Sequence, residues 1–155
     1  KGLEFFVELV DGLHVDEKIV LVGLTDQQKE ELPKGIVGVT RTESVQELAG
    51  IYSAADVFVN PTLEDNFPTT NLESLACGTP VITFETGGSV EAVDEHTGLV
   101  VRKGDAKGLL DAIRHFRGFD RHSLREACLK RSKELYDKND RFVDYMNLYR
   151  SCIVA

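Results

Sequence analysis

The sequence predicts an α/β fold: a parallel sheet with helices on both faces, followed by a helical C-terminal tail. Three observations predict it. Short β-rich runs alternate with helical periodicities up to Val101. Gly, Pro and charged residues separate these runs into compact units, with no repeat and no low-complexity linker between them. After Gly104 the alternation stops, and three helical segments follow one another.

Taken in order, KGLEFFVELVDGL has Leu3, Phe6, Val7 and Val10 at helical spacing. EKIVLVGL is a buried strand bounded by charge and Gly. TDQQKEEL opens with Thr25 and Gln28 at capping-box spacing and is stopped by Pro33. GIVGVT reads as a strand, SVQELAGIYSAA as a helix and DVFVNP as a strand. TTNLESLACG is a helix ended by Gly78, and PVITFE a strand. SVEAVD is a short helix and TGLVV a strand; DAKGLLDAIRHF, DRHSLREACLKRSKELYD and NDRFVDYMNLYRSCIV form the helical tail.

At 155 residues the chain has the size of one domain with a substantial core. Net charge is -8, from 26 acidic and 18 basic residues, with no Lys/Arg block, which argues against a nucleic-acid surface. Cys77, Cys128 and Cys152 lie far apart and are odd in number, as expected of reduced thiols in a cytoplasmic protein. No apolar run approaches the ~18 residues of a membrane span.

In sheets of this kind ligands sit beyond the C-terminal ends of the strands. That rule selects the loops after Val39, Asn60 and Phe84. The second leads into LEDNFPTTNLESLACGTPVITF, where Asp65 and Glu73 stand on either side of a helix start. Glu73 has two readings. With Thr70 it has capping-box spacing and could tie down the helix; one turn into a helix facing a ligand, its carboxylate could accept both hydrogen bonds of a ribose diol. Asp65 is a turn-former or a hook for a sugar hydroxyl. Between them NFPTT leads into helix N–H groups that favour a phosphate. Sugar acceptors flanking phosphate donors suit a sugar nucleotide better than a bare nucleotide or a metal.

The remaining motifs say less. ETGGSVEAV is a phosphate cradle or a plain turn, and Cys77 reads as buried packing with no base beside it. His14, His96, His115 and His122 show no metal-ligand spacing, and there is no Asp-x-Asp, P-loop or Gly-x-Gly-x-x-Gly. No metal and no cofactor are expected.

YSAADVFVNPTLEDNFPTTNLESLACGTPVITFETGGSVEAV, followed by TGLVVRKGD and preceded by KGLEFFVEL, resembles the C-terminal donor-binding domain of GT-B fold glycosyltransferases of the family 4 type. The resemblance runs from Lys1 to about Arg141. It implies a Rossmann-like sheet and a retaining, metal-independent transfer of a hexose from a nucleoside diphosphate sugar, with UDP or GDP as the nucleotide. The acceptor, a saccharide or a lipid-linked sugar, would be bound by an N-terminal domain across a cleft. By position, Glu73 matches the second Glu of the family's paired-Glu motif, which holds the ribose, and Asp65 takes the first Glu's place near the transferred sugar. The backbone of Asn66, Phe67, Pro68, Thr69 and Thr70 would meet sugar hydroxyls and the distal phosphate. Lys1 matches a Lys that neutralises the diphosphate, and the loop after Val39 would lie against the base. The resemblance also implies bacterial polysaccharide or glycoconjugate synthesis, in the cytoplasm or with the whole enzyme peripherally on the inner face of the membrane.

Three departures stand out. Asp65 is one methylene shorter than Glu, with Glu64 beside it. Pro68 stands where many members have Gly, and it lacks an N–H. The family also has a strand and an Arg before the Lys-Gly helix; that strand would lie between KIVLVGL and DVFVNP. The chain is therefore expected to be a single Rossmann-like donor domain, residues 1–155, that lacks its first strand and the acceptor domain and is inactive alone. The alternatives are a sugar-nucleotide epimerase of the same fold and a non-catalytic nucleotide-binding module. A receiver-like signalling module is disfavoured, because Asp56 opens its strand and Asn60 closes it.

Overall fold

The computed structural model of the chain describes residues 2–153. Helix α1 (Leu3–Val10) starts at Gly2, whose φ of 71° is left-handed. A Cβ there would stand 2.5 Å from the carbonyl oxygen of Pro61, so only glycine lets the start of α1 lie on that loop. Strand β1 (Ile19–Val22) pairs in parallel with β2 (Ile36–Val39). Between them α2 (Asp26–Glu30) carries the expected capping box, with Thr25 and Gln28 bonded reciprocally. Helix α3 (Val45–Ala54) leads to β3 (Phe58–Asn60), and α4 (Thr69–Ala76) to β4 (Val81–Phe84). A 3-10 helix (Gly87–Ala92) precedes β5 (Gly98–Val101). It is tighter than the predicted helical turn and begins two residues earlier. Helices α5 (Ala106–Phe116), α6 (Arg121–Tyr136) and α7 (Lys138–Ile153) form the helical tail.

All strand pairs are parallel, as expected, and the strands form two sheets. β1 and β2 form one sheet; β3, β4 and β5 form another, in that order. Among the described residues β1 bonds only to β2, and β3 only to β4. Side-chain packing nevertheless brings the sheets together, because Ile19, Val57 and Val59 all lie against one apolar cluster.

β4 is the centre of that core. Val81, Ile82, Thr83 and Phe84 are all fully buried, so both of its faces are covered. Ile82 and Phe84 pack with Phe5 and Leu9 of α1 and with Leu109 and Ala112 of α5. The rings of Phe5 and Phe84 meet edge-on at 5.0 Å. Val81 packs with Leu75 of α4 and Cys128 of α6 in a second cluster. Helices therefore cover both faces of this sheet.

α6 acts as a clamp through three arginines. Arg121 donates to the carbonyls of Ser53, Ala54 and Ala55 at the end of α3, and Arg125 to Cys77 O at the end of α4. Arg131 donates to Glu91 O and Ala92 O at the end of the 3-10 helix and pairs with Asp94 at 2.6 Å. Each guanidinium meets the last carbonyls of a helix, where acceptors are unpaired and the helix dipole favours a cation. α7 is different: Phe142, Tyr145, Met146 and Tyr149 share one face, and all are exposed. No helix among the described residues is long and apolar enough to cross a membrane.

Candidate functional site

The C-terminal ends of β3 and β4 lie side by side, with Asn60 in register with Thr83. Two loops leave these ends and meet. Gly88 N–H donates to Asn66 O at 2.7 Å, and Thr86 Oγ1 to Thr62 O at 3.3 Å. A Cβ on Gly87 would collide with the carbonyl of Asp65, and one on Gly88 with the carbonyl of Asn66. The Gly-Gly pair, read from sequence as a phosphate cradle or a turn, thus lets one backbone lie directly on the other.

That support leads into α4. Pro68 is its N-cap residue, buried, with φ -69° and no side-chain cap. Thr69 and Thr70 are therefore the first two helical residues, whose N–H groups have no acceptor in the preceding turn of the helix. Asn71, not Glu73, occupies the third position, and it is fully buried. The Thr70–Glu73 capping box does not form, because the helix starts at Thr69 and Glu73 lies beyond the capping turn. Instead Glu73 is exposed and accepts a hydrogen bond from Tyr52 OH at 3.3 Å. Burial, and then the negative charge of Glu73, push the Tyr52 phenol well above its ordinary pKa of 10.0. Tyr52 thus stays a proton donor to the carboxylate across the range in which proteins work. Its ring is held edge-on to Phe58 of β3 at 5.3 Å.

The other predicted residues distribute as follows. Asp65 is half-buried in the loop, and no hydrogen bond or ion pair among the described residues engages its carboxylate. Asn66 supplies its carbonyl to Gly88. Phe67 is partly exposed, with its ring 6.2 Å from that of Tyr136. Asp65, Asn66, Phe67, Pro68, Thr69, Thr70 and Glu73 therefore belong to one segment, the loop after β3 and the start of α4, in which Asn66, Phe67, Thr69, Thr70 and Glu73 are exposed and Pro68 is buried. Val39 belongs to the other sheet, and its carbonyl accepts the N–H groups of Gly23 and Leu24 at 2.9 and 3.4 Å. No hydrogen bond among the described residues joins it to the Asp65–Glu73 element. Lys1 lies outside the described residues. Cys77 is half-buried rather than buried, and burial pushes its thiol pKa up.

Beside this element an open groove of about 460 Å³ is lined by Gly2, Glu4, Thr62, Leu63 and Glu64. Its charged lining is acidic, so a phosphate there depends on N–H groups and on a cation from outside the lining. No cluster of three or more His, Cys, Asp or Glu suited to a metal occurs among the described residues.

Sequence reasoning missed Tyr52. The available signal was a Tyr within a helix, whose hydroxyl must find a partner once its ring is buried.

Comparison with known proteins identifies the family. Residues 1–117 match the family described as Glycosyl transferases group 1. Over 44% of this chain and 16% of its own length, a D-inositol 3-phosphate glycosyltransferase from Corynebacterium jeikeium is 42% identical. An N,N'-diacetylbacillosaminyl-diphospho-undecaprenol alpha-1,3-N-acetylgalactosaminyltransferase from Campylobacter jejuni is 29% identical over 96% of this chain and 41% of its own. This chain thus spans less than half the length of either relative. Among solved structures, a sucrose-phosphate synthase from Thermosynechococcus elongatus superposes over 99% of this chain and 43% of its own, with TM-score 0.83 and 28% identity. An Anabaena protein, HepE, solved in complex with UDP, superposes over 95% of this chain and 45% of its own, with TM-score 0.78; at 17% identity it shares the fold alone. The chain belongs to the glycosyl transferases group 1 family, and its fold is that of the C-terminal domain of GT-B glycosyltransferases.

Proposed function

We propose that the whole protein transfers a hexose from a nucleoside diphosphate sugar to a saccharide or lipid-linked acceptor, with retention of configuration, and that this chain binds the donor. The observation that carries the reading is the Asp65–Glu73 element: a helix N-terminus at the C-terminal end of β3, with a carboxylate on either side of it in sequence. Glu73, oriented by Tyr52, would accept the two ribose hydroxyls. Asp65 would accept a hydroxyl of the transferred sugar. The N–H groups of Thr69 and Thr70 would meet the distal phosphate, and the loop after Val39 the base. Developing charge on the leaving diphosphate would be stabilised by these donors and by a cation, for which Lys1 is the candidate, with no metal required.

One named relative supports the class of substrate: an N-acetylgalactosaminyltransferase whose name includes a diphospho-undecaprenol acceptor. Location in the cytoplasm and a role in polysaccharide or glycoconjugate synthesis follow from the same reading.

A thermal-shift panel of UDP-, GDP- and ADP-sugars on the whole protein tests it. A sugar nucleotide present at about 100 times its Kd stabilises the protein by about 2.7 kcal/mol. One base should raise the melting temperature well above the other two. A flat response to all three, in protein that melts cooperatively, would overturn the assignment.

A further inference from the structure

We infer that Asn60, Asn71, Thr83 and Ser89 form a closed hydrogen-bond ring whose task is to hold the two site loops in register, making Asn71, Thr83 and Ser89 positioning residues for the donor. The inference rests on the donor-binding reading above. Asn60 Nδ2 donates to Asn71 Oδ1 at 2.8 Å. Asn71 Nδ2 donates to Ser89 Oγ at 3.1 Å and to Ser89 O at 3.3 Å. The Ser89 and Thr83 hydroxyls are bonded to each other, and Thr83 Oγ1 donates to Asn60 O at 3.3 Å.

The direction of every bond is determined. Ser89 O carries no proton, so the Asn71 amide must turn its nitrogen toward Ser89 and its oxygen toward Asn60. Asn60 must then present its nitrogen. Thr83 has one proton and gives it to Asn60 O, so the Ser89 hydroxyl supplies the proton between the two hydroxyls. The bonds run one way around, from Asn60 to Asn71 to Ser89 to Thr83 and back to Asn60. Asn71, Thr83 and Ser89 are all fully buried, so breaking one bond strands a polar group without water.

The placement gives the ring its role. Asn60 ends β3, Thr83 is its register partner on β4, Asn71 sits in the first turn of α4 and Ser89 in the 3-10 helix. Both strand ends are thereby tied to both helices that follow them. The two loops between these tie points are the ones that touch through Gly88 N–H and Asn66 O. Apolar packing would stabilise the same elements without fixing this register, because dispersion is not directional.

The test uses the whole protein with Thr83→Val, which keeps the shape and removes the hydroxyl, and Thr83→Ser, which keeps the hydroxyl and removes the methyl. Thr83→Val should raise the donor KM about tenfold, the equivalent of one buried hydrogen bond, with the acceptor KM unchanged within about twofold. Amide exchange at Gly88 should accelerate, while that of Lys29, bonded to Thr25 O in distant α2, should not. Thr83→Ser should stay close to the parent in both readouts. If Thr83→Val does not fold, Ser89→Ala breaks the same ring and should behave as Thr83→Val would. Unchanged Gly88 exchange, a Thr83→Ser variant as impaired as Thr83→Val, or equal rises in donor and acceptor KM would overturn the ring's role. If the parent protein neither binds nor turns over a sugar nucleotide, the functional reading fails; Gly88 exchange in Thr83→Val then still decides the ring.

Discussion

The two sheets of this molecule are built to different standards. In the β3–β4–β5 sheet the central strand is wholly buried, its helices are tied down at their C-termini by α6, and its buried polar side chains are satisfied. In the β1–β2 sheet one side packs through Ile19, while Val20 and Val37 are each 48% exposed on the other. The candidate residues divide along the same line, with Asp65 to Glu73 on the well-held sheet and Val39 on the loosely held one. The difference teaches where geometric precision resides. Groups proposed to meet the diphosphate and ribose stand on over-determined backbone, whereas the loop proposed to meet the base stands on a two-stranded sheet with few constraints.

The comparison breaks most visibly in the core. Phe84→Ala removes a buried ring from between α1 and β4 and should cost about 3–5 kcal/mol, read from the urea midpoint. A loss comparable to that of an exposed residue would show that the two sheets are not held differently.

Asp94 gives a smaller effect with a defined pH dependence. Burial works to raise its pKa, but hydrogen bonds from Thr97 and His96 and the Arg131 guanidinium outweigh it, so the carboxyl lies below its ordinary 3.8. A lowered folded-state pKa means that the unfolded chain binds the proton more readily. The stabilisation is therefore present above the ordinary carboxylate pKa and lost as pH falls through the lowered value. Asp94→Asn should be less stable than the parent at neutral pH and converge with it in acid. Parallel stability–pH curves would contradict this.

Local elements were legible in the sequence because their signals are local. The 3.6-residue spacing of α1, the Thr25–Gln28 capping box and the stop at Gly78 each lie within a few residues. The N-terminus of α4 was misread for a specific reason: with Pro68 as N-cap the helix starts two residues before the Thr-x-x-Glu pattern would start it, so the third helical position falls on Asn71. The α6 arginines were illegible, because their acceptors lie 37 to 68 residues away in the chain. So was the ring, since an Asn on the inner face of a helix looks like a break in apolar periodicity until its partners on β3 and the 3-10 helix are known. Of the site, the Asp65–Glu73 element was visible as a motif, whereas Tyr52 and the Gly87–Gly88 support needed the fold.

Two milder substitutions sharpen the contrast. Tyr52→Phe keeps the ring against Phe58 and removes one hydrogen bond to Glu73; it should weaken donor binding by about threefold to fivefold, near 1 kcal/mol. No change in donor affinity would show that Tyr52 serves packing alone. Val37→Thr, on the exposed face of β2, should alter stability by no more than about 0.5 kcal/mol. A loss above ~1 kcal/mol would mean that this face is covered in the whole protein.

The central claim is that Glu73 holds the ribose of a nucleotide donor. Its most direct test is calorimetric titration of the whole protein with its preferred nucleoside diphosphate, comparing the parent with Glu73→Gln. The substitution keeps shape and helix propensity and removes the charge proposed to accept both hydroxyls. Affinity should fall by roughly 1.5–3 kcal/mol, with the melting temperature nearly unchanged, because Glu73 caps nothing in its own helix. Unchanged affinity with a lowered melting temperature would contradict the account and return Glu73 to a structural role.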